Sequence, residues 1–198
     1  MTGRVNPDHY LHLPECLASA WSLLECGVRE RKISAHTPVL ATAGLDGAPQ
    51  IRTVVLRGCD SQDRTLAIHT DRRSVKVGEL RANPHAGVHV YDPQQKIQLR
   101  LRCHAELHLA DGDAMAAWAR TRPLSRYCYQ SDVAPGSEVE DPATRACDPS
   151  ASNDGVDNFM LVRLRVVQLE WLYLNSRGHR RARFDWTDGH LKAWWLAP

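Results

Sequence analysis

Strict alternation of apolar and polar residues between positions 97 and 109 constrains the fold of this chain more than any other feature. The apolar positions are Ile97, Leu99, Leu101, Cys103, Ala105, Leu107 and Leu109, and the positions between them are polar or charged. A period of two is that of a β-strand with one face in the core and the other in water. This segment therefore predicts a long strand with one buried face.

Most of the other predicted elements are short strands. Residues 39–43 and 51–57 form a predicted hairpin, because the Asp46-Gly47 pair between them is a strong turn signal. Further strands are predicted at residues 66–70, 86–91, 159–173, 179–186 and 190–195. Predicted helices are an amphipathic one that begins at Pro14, one at residues 74–81, and one that Asp111 or Asp113 caps and that stops at Pro123. We therefore expect a mainly β fold with flanking helices, a small Greek-key barrel that forms one domain over residues 1–198.

The composition excludes several classes of protein. Lys and Arg number 25 and Asp and Glu 23, which leaves a net charge of +2 that indicates no particular partner. The longest apolar run, residues 114–119, is far shorter than the roughly 18 residues of a membrane-spanning helix. The first residues lack the apolar segment of a secretory signal, so we expect a cytoplasmic protein without membrane association. The six cysteines and ten histidines lack metal-binding spacing, and no metal site is predicted.

Residues 123–157 are rich in Pro, Ser, Asp and Gly. They form a longer irregular segment than compact domains normally contain. Such a segment is either a lid over a ligand or a disordered part of the chain, and the sequence leaves both interpretations open.

Three features point to an anionic ligand, and the first is the start of the predicted helix at residues 74–81. Basic residues gather there although the helix dipole disfavours positive charge at a helix N-terminus. A phosphate would be stabilised by the free backbone N–H groups, the Ser74 hydroxyl and the Lys76 ammonium. The alternative is a solvated basic turn whose charges are screened by salt.

The second feature is a set of charged residues on one face of a predicted strand. His179, Arg181, Arg183 and Asp185 share this face because side chains alternate along a strand. Like charges side by side are costly without a partner, which favours a bound anion. The alternative is an exposed basic face, or one in which Glu170 and Asp185 lie between the arginines.

The third feature is a strand segment that Arg52 and Arg57 bracket, with β-branched residues at 53–55. Strict alternation places the two arginines on opposite faces. Both could reach one ligand only if the strand bends, for example near Gly58. The alternative is that they are ordinary arginines at strand ends.

Several short motifs, in this order and spacing, resemble the pyridoxamine 5′-phosphate oxidase-like family of FMN-binding split-barrel proteins. They are Arg52-Thr-Val-Val-Leu-Arg57, His69-Thr70, Ser74-Val-Lys76, Ile97-Gln98-Leu99, Thr121-Arg122-Pro123, Arg183-Phe184 and Leu196-Ala-Pro198. The resemblance covers nearly the whole chain. It implies a six-stranded Greek-key split β-barrel and a homodimer with two FMN molecules in clefts at the subunit interface. A ligand between subunits can collect groups from different faces of the sheet.

The resemblance also implies residues that bind FMN. Arg52 and Lys76 would hold the phosphate. Gln98 would hydrogen-bond the edge of the isoalloxazine ring, and Arg183 would face its N1/C2 carbonyl side, where reduction builds negative charge. The full set of implied cofactor-binding residues is Arg52, Thr53, Val54, Val55, Leu56, Arg57, His69, Thr70, Ser74, Lys76, Gln98 and Arg183.

The cofactor motifs depart from the family pattern at a few positions. Arg57 replaces the family's usual lysine, and His69 its usual aromatic residue before threonine. Val75 stands where the family often has a second cation, for which Arg72 or Arg73 could compensate.

On the substrate side, the resemblance implies Arg122, His179 and Arg181 as binding residues, with His179 as the candidate catalytic residue. The true oxidases have arginine where His179 stands and histidine where Arg181 stands. Trp118 and Arg126 occupy positions where the family has tyrosine and serine. The chain therefore resembles the less characterised relatives more than the vitamin B6 enzyme itself.

These observations favour an FMN-dependent oxidoreductase that acts on a small anionic substrate. The alternative is an FMN-binding carrier or sensor without turnover, because the substrate residues are altered. A nucleic-acid-binding barrel is disfavoured, since the net charge is only +2 and RNA-recognition motifs are absent.

Overall fold

The computed structural model describes residues 8–140, 155–176 and 178–198, and within these ranges the chain forms nine strands and four α-helices. The strands are β1 (Val39–Ala43), β2 (Pro49–Thr53), β3 (Leu56–Asp60), β4 (Thr65–Asp71), β5 (His85–Asp92), β6 (Ile97–His108), β7 (Phe159–Tyr173), β8 (Arg180–Asp185) and β9 (Lys192–Leu196). The helices are α1 (Leu13–Arg29), α2 (Val75–Ala82), α3 (Gly112–Arg120) and α4 (Pro123–Arg126). No helix in the described ranges is long and apolar enough to span a membrane.

All nine strands belong to one antiparallel sheet with the 15-residue strand β7 at its centre. The order of the main path is β2-β1-β5-β6-β7-β4-β3. One edge of β7 pairs with β6, while the other pairs first with β4 and then with β8, which in turn carries β9. The sheet therefore divides along β7, as in a split barrel. The predicted fold class is confirmed, although the sheet has nine strands rather than six.

One side of the sheet forms the hydrophobic core, and we call it the core face. The predicted alternating strand is β6, whose apolar positions Ile97, Leu99, Leu101 and Cys103 are at most 2% exposed. Val88 of β5 and Leu169 of β7 lie on the same side and are 3% and 0% exposed. Each large side chain buried in this way contributes roughly 1.5–3 kcal/mol. The opposite side, which carries the polar positions, is the outer face.

Helix α1 covers part of the core with buried residues that include Cys16, Leu23 and Leu24. Pro14 lies in its first turn, where a missing N–H costs no hydrogen bond. Gly27 permits a close approach to the turn that follows the helix, because a Cβ atom there would lie 2.6 Å from the carbonyl carbon of Ala35.

The predicted strand at residues 51–57 is wrong, because the structure breaks it into two. β2 ends at Thr53 and pairs with β1, whereas β3 begins at Leu56 and pairs with β4. Val54 and Val55 form the corner between them. The β-branched residues favour a strand over the whole segment, but they do not show with which strand each half pairs. The sequence therefore predicts one continuous strand where the structure has two.

Helix α3 has the predicted cap but a different end. The Asp111 carboxylate accepts a hydrogen bond from the backbone N–H of Ala114 at 2.8 Å. The helix ends at Arg120, so Arg122 lies beyond it and is the N-cap residue that precedes α4. The segment 123–157 is therefore not wholly irregular, since it contains α4 and the single turns Tyr127–Tyr129 and Val156–Asn158. Residues 141–154, on which the lid interpretation depends, lie outside the described residues.

Candidate functional site

The first candidate site lies at the start of α2, and we call its residues Arg52, Thr70, Ser74 and Lys76 the cradle. Ser74 is the N-cap of α2, and Thr70 comes from β4. The Lys76 ammonium donates to the Thr70 hydroxyl at 3.0 Å and to the Ser74 hydroxyl at 3.1 Å. Burial lowers the pKa of Lys76, and the positive charge of Arg52 lowers it further. The cradle thus places two cations and two hydroxyl groups at the N-terminus of α2, where the first backbone N–H groups of the helix have no partner within the helix.

Arg52 is held in the cradle by Glu79, a residue that the sequence analysis missed. Arg52 Nη2 lies 2.7 Å from Glu79 Oε2, and the Thr42 hydroxyl donates to the same oxygen at 2.6 Å. Glu79 is only 2% exposed. It follows Lys76 by three residues, so the two share one side of α2, and this spacing is the signal that could have identified it. The two cations and one carboxylate leave the cradle with a net positive charge.

Val75 and Arg73, near the start of α2, have surroundings different from those of the cradle residues. Val75 is 64% exposed and points to solvent. Arg73 forms a two-pronged ion pair with Asp71, with Nη2–Oδ2 and Nε–Oδ1 distances of 2.7 and 3.0 Å. Asp71 thus holds the guanidinium of Arg73, whereas Arg72 is exposed, and compensation by Arg72 or Arg73 stays a prediction.

The second candidate site is a cleft of about 440 Å³ beside β3, β4 and α3, which we call the basic cleft. Six arginines line it: Arg29, Arg31, Arg57, Arg120, Arg122 and Arg163. Asp113 lines it as well. The structure therefore separates Arg57 from Arg52, and it brings Arg57 together with Arg122 instead.

His69 also lines the basic cleft and packs edge-on against Phe159, with ring centroids 4.8 Å apart. Burial lowers the pKa of His69 to about 4, and the charges of Arg57 and Arg120 act in the same direction. The imidazole is therefore neutral at pH 7. Since side chains alternate along β4, His69 and Thr70 point to opposite sides, one into the cleft and the other toward the cradle.

Trp118 and Arg126, the two departures from the family pattern, have structural roles. Trp118 is 5% exposed, and the Arg126 guanidinium lies over its ring at 4.7 Å from the centroid. Arg126 also donates to the backbone carbonyls of Trp118 and Thr121 at 2.9 and 3.1 Å. Its charge is thereby used to hold the end of α3 against α4.

The third candidate site is a charged cluster on the outer face around Glu170. The buried Glu170 carboxylate accepts hydrogen bonds from Arg181 at 2.6 Å and from Arg183 at 2.6 and 3.0 Å. Arg100 lies 3.7 Å from it. Burial by itself raises the pKa of Glu170, but the hydrogen bonds from Arg181 and Arg183 outweigh this effect and hold the pKa below its usual value. Glu170 thus lies between the arginines, as one of the alternative interpretations of this strand face expected.

Arg183 retains binding capacity in this cluster. A guanidinium has five N–H donors, and the contacts with Glu170 use two of them. The guanidinium also lies 5.9 Å from the centroid of the Trp194 ring. Three arginines around one carboxylate leave this part of the outer face positive.

Gln98 and His179 complete the predicted set. Gln98 is half-buried on the outer face of β6 and pairs across the sheet with Leu172, whose other neighbour is Arg181. His179 is exposed and precedes β8, so the predicted strand begins one residue too early. His179 Nδ1 accepts a hydrogen bond from the backbone N–H of Asn175 at 3.0 Å, which leaves the proton of the neutral ring on Nε2.

The predicted cofactor residues fall on both faces of the sheet. Arg52 lies on the core face of β2, whereas Gln98 and Arg183 lie on the outer face of β6 and β8. The side chain of Leu56 is 1% exposed and packs into the core, although the residue also lines the basic cleft. Thr53 is exposed at the end of β2.

The fold and these sites define a split-barrel protein whose candidate sites are rich in cationic side chains. Residues 27–145, more than half of the chain, match the family model described as pyridoxamine 5′-phosphate oxidase. The chain belongs to this family.

Two relatives show the extent of the sequence similarity. A pyridoxine/pyridoxamine 5′-phosphate oxidase of Pseudomonas putida is 27% identical over 93% of this chain and 88% of its own length. One of Salinispora arenicola is 33% identical over 76% of this chain and 71% of its own length.

Two solved structures share the fold. A pyridoxamine 5′-phosphate oxidase-related, FMN-binding protein of Nostoc punctiforme superposes with a TM-score of 0.74 at 23% identity, over 91% of this chain and 96% of its own. PhzG of Burkholderia lata, in complex with tetrahydrophenazine-1-carboxylic acid, superposes with a TM-score of 0.72 at 21% identity, over 98% of both chains.

Proposed function

We propose that this protein is an FMN-dependent oxidoreductase that acts on a small anionic substrate. The observation that carries the proposal is the cradle. Its Lys76 ammonium is half-buried, contacts two hydroxyl groups and sits at the N-terminus of α2, where backbone N–H groups stabilise an anion. Arg52 adds a second cation. This donor set fits the phosphate group of FMN.

The proposal gives a task to six of the twelve predicted cofactor residues. Arg52, Thr70, Ser74 and Lys76 would hold the phosphate. Gln98 would contact the ring system through its amide, and Arg183 would offer the positive charge that stabilises a reduced ring. When bound, FMN supplies the hydride-transfer chemistry.

The proposal requires a second copy of the chain. The cradle lies on the core face of the sheet, whereas Gln98 and Arg183 lie on the outer face. One FMN molecule can contact the cradle of one protomer and the Gln98 and Arg183 side chains of its partner if it binds between the two protomers. The outer face suits such a contact, because it exposes apolar side chains such as Ile51 at 72% and Tyr91 at 43%. We therefore propose a homodimer with FMN at the interface.

The basic cleft is the proposed substrate site. Arg122 and Arg57 line it together, as two cations for an anionic group, so this proposal places Arg57 and His69 at the substrate rather than at the cofactor, to which the resemblance assigns them. Neutral His69 contributes a hydrogen-bonding edge without further charge. His179 and Arg181 stay candidates for substrate contact from the partner copy. No acid or base is assigned to the chain, since FMN carries the electron chemistry.

The visible absorption spectrum of the purified protein tests the cofactor. We expect the flavin bands, with one FMN per chain released by heat, and a dimer by light scattering. Lys76→Met should weaken FMN binding about 10-fold or more, because a charge-assisted hydrogen bond contributes about 1.5–3 kcal/mol. Arg81→Met removes an exposed arginine from the same helix and is the matched control. A colourless protein that does not quench added FMN fluorescence would contradict the proposal.

A carrier or sensor without turnover is the second candidate function. Its support is that Trp118 and Arg126 pack against each other instead of lining the basic cleft. Steady consumption of oxygen with pyridoxamine 5′-phosphate, or steady oxidation of reduced pyridine nucleotide, above the rate of free FMN would rule it out. Bound FMN without turnover on either substrate would favour it.

A further inference from the structure

The basic cleft carries more positive charge than one anionic group can neutralise. Six arginines line it, and Asp113 is the acidic residue that lines it with them. Asp113 is already paired with Arg163, at 3.2 Å. Within the described residues, Arg31, Arg57, Arg120 and Arg122 have no ion pair with an acidic side chain.

Part of this charge has a local explanation. Arg29 and Arg120 are the last residues of α1 and α3, where the helix dipole places about half a negative charge. The two helix ends together offset about one positive charge, and Asp113 offsets another. Of the six arginine charges, a surplus of about four therefore remains in the cleft. A phosphate monoester carries about 1.5 to 2 negative charges at pH 7 and would leave about half of the surplus.

The arginines of the cleft come from separate elements. Arg57 belongs to β3, Arg120 ends α3, and Arg31 follows α1. Arg57 and Arg120 are close enough to His69 to lower its pKa, so their charges act on the same point of the cleft. Bringing like charges from three elements into one cleft costs energy that a multiply charged ligand would offset.

We propose that the basic cleft binds a substrate with at least two separate anionic groups, and that Arg31 and Arg120 are needed for the second one. The inference rests on the proposed function, in which Arg57 and Arg122 already meet one anionic group. The groups are carboxylates or phosphates, which guanidinium binds equally through paired N–H donors. A cleft of about 440 Å³ accommodates a small ring compound that carries them.

The test uses three probes built on the same ring. Benzoate carries one carboxylate, isophthalate carries two, and phenyl phosphate carries one phosphate. Each is titrated by calorimetry into the protein saturated with FMN. We expect isophthalate to bind at least 10-fold more tightly than benzoate and more tightly than phenyl phosphate. Isophthalate within 3-fold of benzoate, or phenyl phosphate as the tightest probe, would overturn the inference.

Variants identify the residues involved. Arg31→Gln and Arg120→Gln should each weaken isophthalate binding about 10-fold and benzoate binding less than 3-fold. Arg81→Gln is the matched control for Arg120→Gln, because Arg81 also lies in the last turn of a helix but does not line the cleft. Equal losses for isophthalate and benzoate, or no loss in either variant, would contradict a role in binding a second group.

Failure of this inference can be distinguished from failure of the proposed function. FMN binding depends on the cradle, so Arg31→Gln and Arg120→Gln should leave FMN affinity unchanged. If the chain binds FMN but prefers no dianion, the inference alone is wrong. If it binds no FMN, the proposed function is wrong, and the same titrations on the protein as purified still decide what the cleft binds.

Discussion

Replacement of Arg52 by methionine should destabilise the fold as well as weaken the binding of FMN. Arg52 pairs with Glu79, whose carboxylate is 2% exposed and otherwise accepts only the Thr42 hydroxyl at 2.6 Å among the described contacts. Arg52→Met therefore leaves a buried negative charge without its cation. Lys76 is near enough to offer some compensation, since the charge of Glu79 raises its pKa.

The size of the effect follows from the burial of the pair. Removing one partner of a buried ion pair costs about 3–5 kcal/mol. Because the Arg52 side chain is 23% exposed and Lys76 is close, we expect a value at the lower end, about 3 kcal/mol. In a chain of this length, 1 kcal/mol corresponds to about 2–4 °C in Tm, so the expected decrease is about 6–12 °C.

Urea denaturation of the FMN-free protein measures this effect without a contribution from ligand binding. The double variant Arg52→Met with Glu79→Met removes both charges and should recover at least half of the lost stability, since an apolar replacement of a buried pair is often nearly neutral. Arg81→Met, at an exposed position, should stay within about 0.5 kcal/mol of the native chain. Native stability in Arg52→Met, or additive losses in the double variant, would refute the reasoning.

Three further predictions concern other parts of the molecule. The pKa of His69 is about 4 in the fold, below the ordinary value of 6.5, so on acidification the unfolded chain binds a proton before the folded chain does. Up to about 3 kcal/mol of stability should therefore be lost between pH 6.5 and 4. Urea denaturation over the same pH range should show a smaller loss for His69→Phe. Gly27→Ala should lower the stability of the fold by about 2 kcal/mol, because the new Cβ atom would lie 2.6 Å from Ala35. Gly78→Ala in α2 adds a Cβ atom that faces open space, and urea denaturation should show unchanged or higher stability for this variant. Glu170→Gln should cost about 2 kcal/mol or more, because two arginines lose a buried carboxylate, and an unchanged Tm would contradict the role of this cluster.

The two longest strands were predicted well from the sequence. The predicted strand at residues 159–173 coincides with β7, and the predicted strand at 97–109 ends one residue beyond β6. The regular buried face of β6 is identified by the side-chain period alone. β7 is instead a long, largely apolar segment in which adjacent residues are buried, and its length and composition identify it. The break at Val54 and Val55 was missed because both halves have the same composition and differ only in the strand with which they pair.

The candidate sites divide in the same way. Ser74 and Lys76 could be placed at a helix N-terminus from sequence, since the two residues are close along the chain and the helix signal is local. The contacts of Arg52 with Glu79 and of Arg183 with Glu170 join residues that are 27 and 13 positions apart. The three-residue spacing from Lys76 could place Glu79 beside the cradle, but no local spacing shows that Arg52 is the cation that pairs with it.

The sequence by itself determined the class of sheet, the two long strands and the local helix start of the cradle, because these depend on the local pattern of apolar residues and on short-range hydrogen bonds. The tertiary structure decided that Arg52 and Arg57 serve different sites, that Arg73 and Arg126 are held by internal contacts, and that six arginines meet in one cleft. These outcomes depend on which elements pack together. Burial of the apolar core decides how the elements pack. The local sequence around a charged residue of the cleft therefore does not show which other residues it will meet.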